Sequence, residues 1–260
     1  MKTGLALSGG GVRGIAHIGA IKALEEHDVF PSIISGSSAG AIVGTLYAGG
    51  RKPKEILEFF KTVNPFSITN YAVNKPGFVN TEKLYDHFKK LLPEDSFEGL
   101  KIPMSITATN ILDGTLKVFT EGPLIRAILA SAAFPGIFTP IKIDDNYYVD
   151  GGTLNNFPVD LIKNECDTMI GVYVNPFEEV SIKELKYFYN VVERSFQIRS
   201  ANDSRNKFQD CDLLICPQEL GSYSTFSTRE MDKIYQMGYE ATVNALKTEK
   251  GKAITEVRTR

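Results

Sequence analysis

The stretch that most constrains this chain is Ile33-Ile34-Ser35-Gly36-Ser37-Ser38-Ala39-Gly40-Ala41-Ile42-Val43-Gly44, a short apolar run that turns on small residues into an apolar helix. Gly36, Ser38 and Gly40 complete a GxSxG match. In a strand-to-helix elbow of this kind the central residue sits in a strained turn, and its neighbours must be small because a Cβ there meets backbone. The spacing therefore projects the Ser38 hydroxyl beside the unpaired N–H groups and positive dipole end of the following helix. Ser37 is the competing hydroxyl, but only Ser38 has glycine two places away on both sides.

Around this turn strands and helices alternate. Residues 4–8 read as a buried strand, 9–14 (GGGVRG) as a loop, and 15–26 as a helix whose Ile15, Ile18, Ile21 and Leu24 recur at near-helical spacing. A second short strand then leads into the elbow. This βαβα start predicts parallel strands with right-handed crossovers. Pro53 opens a helix to about residue 61, and 81–92 forms another. Between them, 64–80 reads as a long loop, apolar for its kind with Phe66, Tyr71 and Phe78; a binding lid and a plain surface loop are both open. Residues 104–110 and 116–120 are strands joined at Asp113-Gly114, and 123–132 is a helix that the prolines of 134–140 end. A hairpin over 142–149, with its turn at 144–146, delivers Asp150-Gly151-Gly152, and Asp144 and Asp145 read as ordinary turn residues. Strands at 168–174 and 212–216, helices at 182–201 and 229–247, and a frayed end follow. The expected organisation is one domain over residues 1–248 and a charged tail, 249–260.

With 260 residues, 43% of them hydrophobic, the chain is long enough for one large α/β domain with a substantial core. A formal net charge of -2 and the lack of a basic stripe with interleaved aromatics argue against nucleic acid as a partner. Cys166, Cys211 and Cys216 lack CxxC spacing and read as buried free thiols, suited to a reducing compartment. The start of the chain has no secretory pattern, and no run approaches the ~20 apolar residues that span a bilayer. The expectation is a cytoplasmic protein, compatible with peripheral contact at a membrane surface. No metal constellation is present, so neither a metal nor another cofactor is expected.

Two further motifs bear on the chemistry of Ser38. Gly9 to Gly14 satisfies GxGxxG directly after the first strand. A dinucleotide site expects an acidic residue ~20 positions on, at the end of the second strand; here that place holds Ser35-Gly36-Ser37-Ser38. Glycine N–H groups converging at a helix start suit an oxyanion equally well, and a tight turn alone accounts for some of these glycines. The histidines settle what can activate the serine. His17, His27 and His87 all precede Asp150, so the order serine, acid, histidine of an α/β-hydrolase cannot be met. His27 and His87 read as surface residues, and His17 as a core or surface residue that lies near the glycine loop. Asp150, after a strand and before two glycines, is the leading base; a turn-capping aspartate is its plain alternative. As a carboxylate of reference pKa ~3.9 it needs a site that excludes water.

In order and spacing, Gly9-Gly10-Gly11-Val12-Arg13-Gly14, Gly36-Ser37-Ser38-Ala39-Gly40, Ala130-Ser131-Ala132-Ala133-Phe134-Pro135 with Phe138 and Pro140, and Asp150-Gly151-Gly152 together resemble the patatin-like phospholipase family. The resemblance runs from Gly4 to about Val174. It implies a three-layer α/β/α domain with a mainly parallel central sheet and a serine-aspartate dyad acting on acyl esters of lipids. It makes Ser38 the nucleophile, Asp150 the base, the N–H groups around Gly10 and Gly11 the oxyanion donors, and a lipid or acyl ester the substrate. Phe66, Tyr71, Phe78, Phe134 and Phe138 are candidates for an acyl-chain channel or for core. Arg13 either meets a lipid phosphate or tethers the loop to a carboxylate. An esterase on small soluble substrates and a binder using the same pocket are the rival readings. Oligomeric state is not legible.

Overall fold

The computed structural model describes residues 1–63, 81–223 and 229–256. In chain order the elements are β1 (Thr3–Leu7), α1 (Ile15–Glu26), β2 (Ile33–Ser37), α2 (Ala39–Ala48), α3 (Pro53–Val63), α4 (Thr81–Leu91), β3 (Met104–Asn110), β4 (Leu116–Phe119), α5 (Leu124–Ser131), β5 (Ile141–Ile143), β6 (Asn146–Asp150), β7 (Thr168–Val172), α6 (Phe188–Arg205), β8 (Leu213–Ile215), α7 (Met231–Leu246) and α8 (Glu249–Glu256). The expected loop 64–80 lies outside the described residues. Among them no helix is long and apolar enough to cross a membrane.

The strands form one mixed sheet in the order β5-β6-β3-β2-β1-β7-β8, with β4 also on β3. Strands β3, β2, β1, β7 and β8 run parallel; β4 and β6 join β3, and β5 joins β6, antiparallel. β1, β3 and β7 are buried along their whole length, which accounts for the mostly apolar character of β1 and β7, while β3 interleaves Ser105, Thr107 and Thr109 with its apolar residues. Side chains alternate between two cores, as the period of a strand requires. Leu5, Leu7, Ile170 and Val172 face the larger one with α1, α2, α5 and α7. Ala6 and Met169 face a smaller one closed by Phe157, Val159 and Ile162, with Phe208 beyond the end of α6. The result is the three-layer α/β/α arrangement expected.

One register fixes the geometry of everything that follows. β4 pairs with Ile106–Thr109 along one edge of β3, so β2 and β6 must share the other edge. They meet there end to end: Ser37 at the end of β2 is paired with Thr107, and Asp150 at the end of β6 with Ala108. Neighbouring residues of a single strand thus hold the two chain ends, 112 positions apart, that carry Ser38 and Asp150.

The structure departs from the expectations at two helices. The segment 182–201 is not one helix: a 3-10 turn at Ile182–Glu184 precedes α6, because Asn190 Oδ1 accepts the Tyr187 N–H (3.2 Å) in a capping box that starts the helix only there. The end of the chain is not a frayed tail through residue 256. Thr248 Oγ1 accepts the Gly251 N–H (3.2 Å), which caps α8, and Ile254 enters the larger core. Gly251 is what lets α8 lie against the end of α7, since a Cβ there would meet the Ala245 carbonyl oxygen. Replacing Ile254 by alanine should therefore cost about 2 kcal/mol of unfolding free energy in urea; a solvated tail would give no change.

Candidate active site

Ser38 is the cap residue between β2 and α2, with φ 50° and ψ -118°, a conformation that non-glycine residues avoid. Its main chain is held on both sides: the N–H donates to Ser131 Oγ of α5 (2.8 Å), and the carbonyl accepts from the Ile42 N–H (3.1 Å). The flanking glycines are sterically required. A Cβ on Gly36 would meet the Gly40 carbonyl oxygen, and one on Gly40 the Leu7 and Ser8 carbonyl oxygens of the adjoining strand. Ala39 is buried as the first residue of α2. Ser37 is fully buried, and among the described residues its hydroxyl has no partner.

Asp150 is 2% exposed and Ser38 5%. Both side chains line one pocket, where the Ser38 hydroxyl favours the ionised form of the Asp150 carboxylate. Asp150 also caps the short turn Gly151–Thr153: its Oδ1 accepts the Gly152 N–H (2.7 Å), which fixes the carboxylate. A Cβ on Gly152 would crowd that oxygen, and one on Gly151 would strike Thr107 of β3. Capping and facing the serine, posed as alternatives by the sequence, are both true of this residue. Burial pushes its pKa up to about 7, against the opposing effects of the Ser38 hydroxyl and the Gly152 N–H.

The glycine loop passes over the same point. The Gly9 N–H donates to the Asn156 carbonyl (3.0 Å), and the Gly9 carbonyl accepts from Asn175 Nδ2. In a planar trans peptide the N–H of Gly10 points opposite to the carbonyl of Gly9, so Asn175 fixes its direction. Among the described residues no acceptor takes the N–H of Gly10 or Gly11, and both residues line the pocket that holds Ser38 and Asp150. Val12 belongs to the larger core. Gly14 brings the start of α1 onto Ala39, where a Cβ would collide. Arg13 tethers the loop to backbone carbonyls: Nε donates to Tyr223 O (2.7 Å) and an Nη to Gly221 O (3.5 Å).

Other expected residues lie apart. His17 is fully buried, its Nε2 2.8 Å from the Ser8 carbonyl oxygen, and desolvation lowers its pKa to about 4, so it is a neutral core residue. Phe134 lines the pocket, whereas Phe138 is core; Phe66, Tyr71 and Phe78 lie outside the described residues. All three cysteines are free, but only Cys211 is fully buried. Sequence reasoning missed Asn156, Asn175, Arg194, Phe196 and Gln197 in the pocket wall. Asn156 lies four residues after the Asp-Gly-Gly motif, a usable signal; nothing in the sequence marks the α6 residues.

A model described as "Patatin-like phospholipase" matches residues 5–162. An uncharacterized NTE family protein of Mycobacterium tuberculosis is 36% identical over 181 residues, covering 68% of this chain and 50% of that protein. Lysophospholipase NTE1 of Mycosarcoma maydis is 28% identical over 283 residues, 95% of this chain and 15% of its own length. The chain spans about half the length of the mycobacterial relatives it matches. Among solved structures, VipD from Legionella pneumophila superposes with a TM-score of 0.56 at 16% identity over 94% of this chain and 66% of that one, a likeness of fold.

A carboxyl with a folded pKa of about 7 keeps a proton that the unfolded chain gives up near 4, so its burial costs stability increasingly from pH 4 to 7 and fully above. His17 has the opposite sign: its neutral burial costs stability as pH falls from 6.5 to about 4. Asp150→Asn should therefore be more stable than wild type at pH 8, by on the order of a few kcal/mol in urea unfolding, with the difference vanishing near pH 4. Equal stability at pH 8 would contradict the buried carboxylate.

Proposed function

The chain belongs to the patatin-like phospholipase family, and from that premise we propose that it hydrolyses carboxylic esters of lipids through an acyl-enzyme on Ser38. The observation that carries this reading is that Ser38 and Asp150, both buried, line one pocket, with the one nearby imidazole committed to the core. Ser38 Oγ attacks the ester carbonyl carbon while its proton passes to Asp150. A carboxylate whose pKa lies near 7 is a far better acceptor at neutral pH than an ordinary aspartate. The oxygen that gains negative charge is met by the N–H groups of Gly10 and Gly11, held in direction by the Asn175 and Asn156 bonds to Gly9. Asp150 returns the proton to the departing alcohol. Water then attacks the acyl-enzyme with Asp150 again as base, releasing the fatty acid and restoring Ser38. The family and the fungal relative, named a lysophospholipase, support lipid esters as the substrate class, phospholipids and lysophospholipids among them.

A fluorophosphonate probe should label wild type on Ser38 and leave Ser38→Ala unlabelled; a folded wild type that takes no label is a binder and not a hydrolase. Asp150→Asn should lower kcat by about 10³ or more with the fold intact. The base must be ionised to work, so kcat/KM should fall as pH drops below about 7; a profile flat from pH 8 to 5 removes Asp150 from that role. Asn175→Ala should lower kcat about tenfold or more with KM little changed, since it loosens an oxyanion donor and touches no ground-state contact; an effect on KM alone would make Asn175 a substrate-binding residue.

A further inference from the structure

Apart from Asp150, the charged side chains in the pocket lining are two arginines. Arg13 is buried, and its bonds to the Tyr223 and Gly221 carbonyls hold the glycine loop. Arg194 of α6 is half-buried in the pocket wall. Its guanidinium lies on the ring of Phe177, 4.1 Å from the centroid, and an Nη donates to the Glu178 carbonyl (2.6 Å). The other Nη donates to Gln197 Oε1 (3.4 Å), and among the described residues its remaining N–H groups have no acceptor. The same ring carries a second cation, the exposed Arg205, 5.2 Å from its centroid. Glu178 and Glu179 are exposed just beyond Phe177, yet among the described residues no carboxylate lies within ion-pair distance of either guanidinium. The Glu178 carboxylate lies against Gly221 instead, where a Cβ would meet it.

The geometry points to Arg194 as the residue that selects the head group of the substrate: with Arg205 on the same ring, it receives a phosphate monoester carried by the molecule whose ester carbonyl meets Ser38. The inference rests on the reading of the protein as a lipid acyl hydrolase, and it names the class of ester. Two like charges gathered on one ring without a carboxylate repel each other, and an anion placed between them relieves that repulsion. Stacking on Phe177 holds the guanidinium flat, so its N–H groups point outward in one plane, the fork that phosphate oxygens fit. A phosphate monoester, at about -1.5 to -2 charge near neutral pH, matches a pair of cations. A neutral glycerol ester leaves them unpaired. A choline diester brings a third cation to the same place. Were Arg194 only a clamp on the chain around Phe177, its open N–H groups and the second arginine would have no purpose.

The test uses three soluble esters that share one acyl group: monohexanoylglycerol, its phosphate monoester and its phosphocholine diester. Wild type should have its highest kcat/KM on the phosphate monoester. Arg194→Gln should lower the ratio of kcat/KM on the phosphate monoester to that on the neutral ester at least about tenfold, mostly through KM. Arg194→Lys, which keeps the charge and loses the fork, should retain part of that ratio. An unchanged ratio in Arg194→Gln, whether from equal losses on both esters or from none, makes Arg194 a clamp and overturns the proposal, as does a wild type that prefers the neutral ester or the choline diester. Calorimetric titration of Ser38→Ala, which lacks the nucleophile, should show the phosphate monoester binding at least about tenfold more tightly than inorganic phosphate. Equal affinity marks a site for free anions and overturns the head-group assignment. A wild type that cleaves none of the three esters but binds the phosphate monoester through Arg194 refutes the hydrolase reading and leaves the anion site standing.

Discussion

The structure depends on the sharing of one edge of β3. A parallel strand ending at Ser37 and an antiparallel strand ending at Asp150 meet head-on along that edge, on the adjacent residues Thr107 and Ala108. Main-chain hydrogen bonds of a buried sheet are among the least compliant elements in a protein, so the distance between the two chain ends is set by sheet geometry and not by loops. A slip of one residue in the β3–β6 ladder would turn Asp150 to the opposite face of the sheet. β4 on the far edge and Thr109, whose hydroxyl donates to the Asp150 carbonyl (3.1 Å), hold the register.

That placement has an energetic cost. Ser38 occupies backbone angles that favour glycine, and Asp150 is a carboxylate removed from water without a cation to pair with it among its hydrogen-bond partners. Both would be poor choices for stability alone. The surrounding contacts offset them: Ser131 and Ile42 on the elbow, Gly152 on the carboxylate, Asn156 and Asn175 on the glycine loop. The same burial that destabilises the ionised aspartate makes it basic enough to take a hydroxyl proton, so the strain and the chemistry have one origin.

Much of this was legible in the sequence because local signals agreed with one another. The βαβα opening, the elbow at Gly36-Ser38-Gly40 and the hairpin that presents Asp150 each follow from short-range spacing, and each forms as expected. What joins them does not follow. Nothing local in 104–110 says that β3 carries two strands on one edge, because register is decided by long-range pairing. α8 was missed because its weak pattern is stabilised by packing of Gly251 and Ile254 on the core and not by propensity. Asn175 and the inner face of α6 were missed because a single polar residue after a strand, or a helix apolar on two sides, gives no periodic signal.

The most direct test of the account is the carboxyl titration of Asp150, followed by carbon NMR in protein labelled at aspartate. The account predicts a midpoint near 7 that moves higher still in Ser38→Ala, where the hydroxyl that favours the ionised form is gone. A midpoint in the ordinary carboxylate range near 4, unchanged by Ser38→Ala, would show that the two side chains do not meet in a dry site.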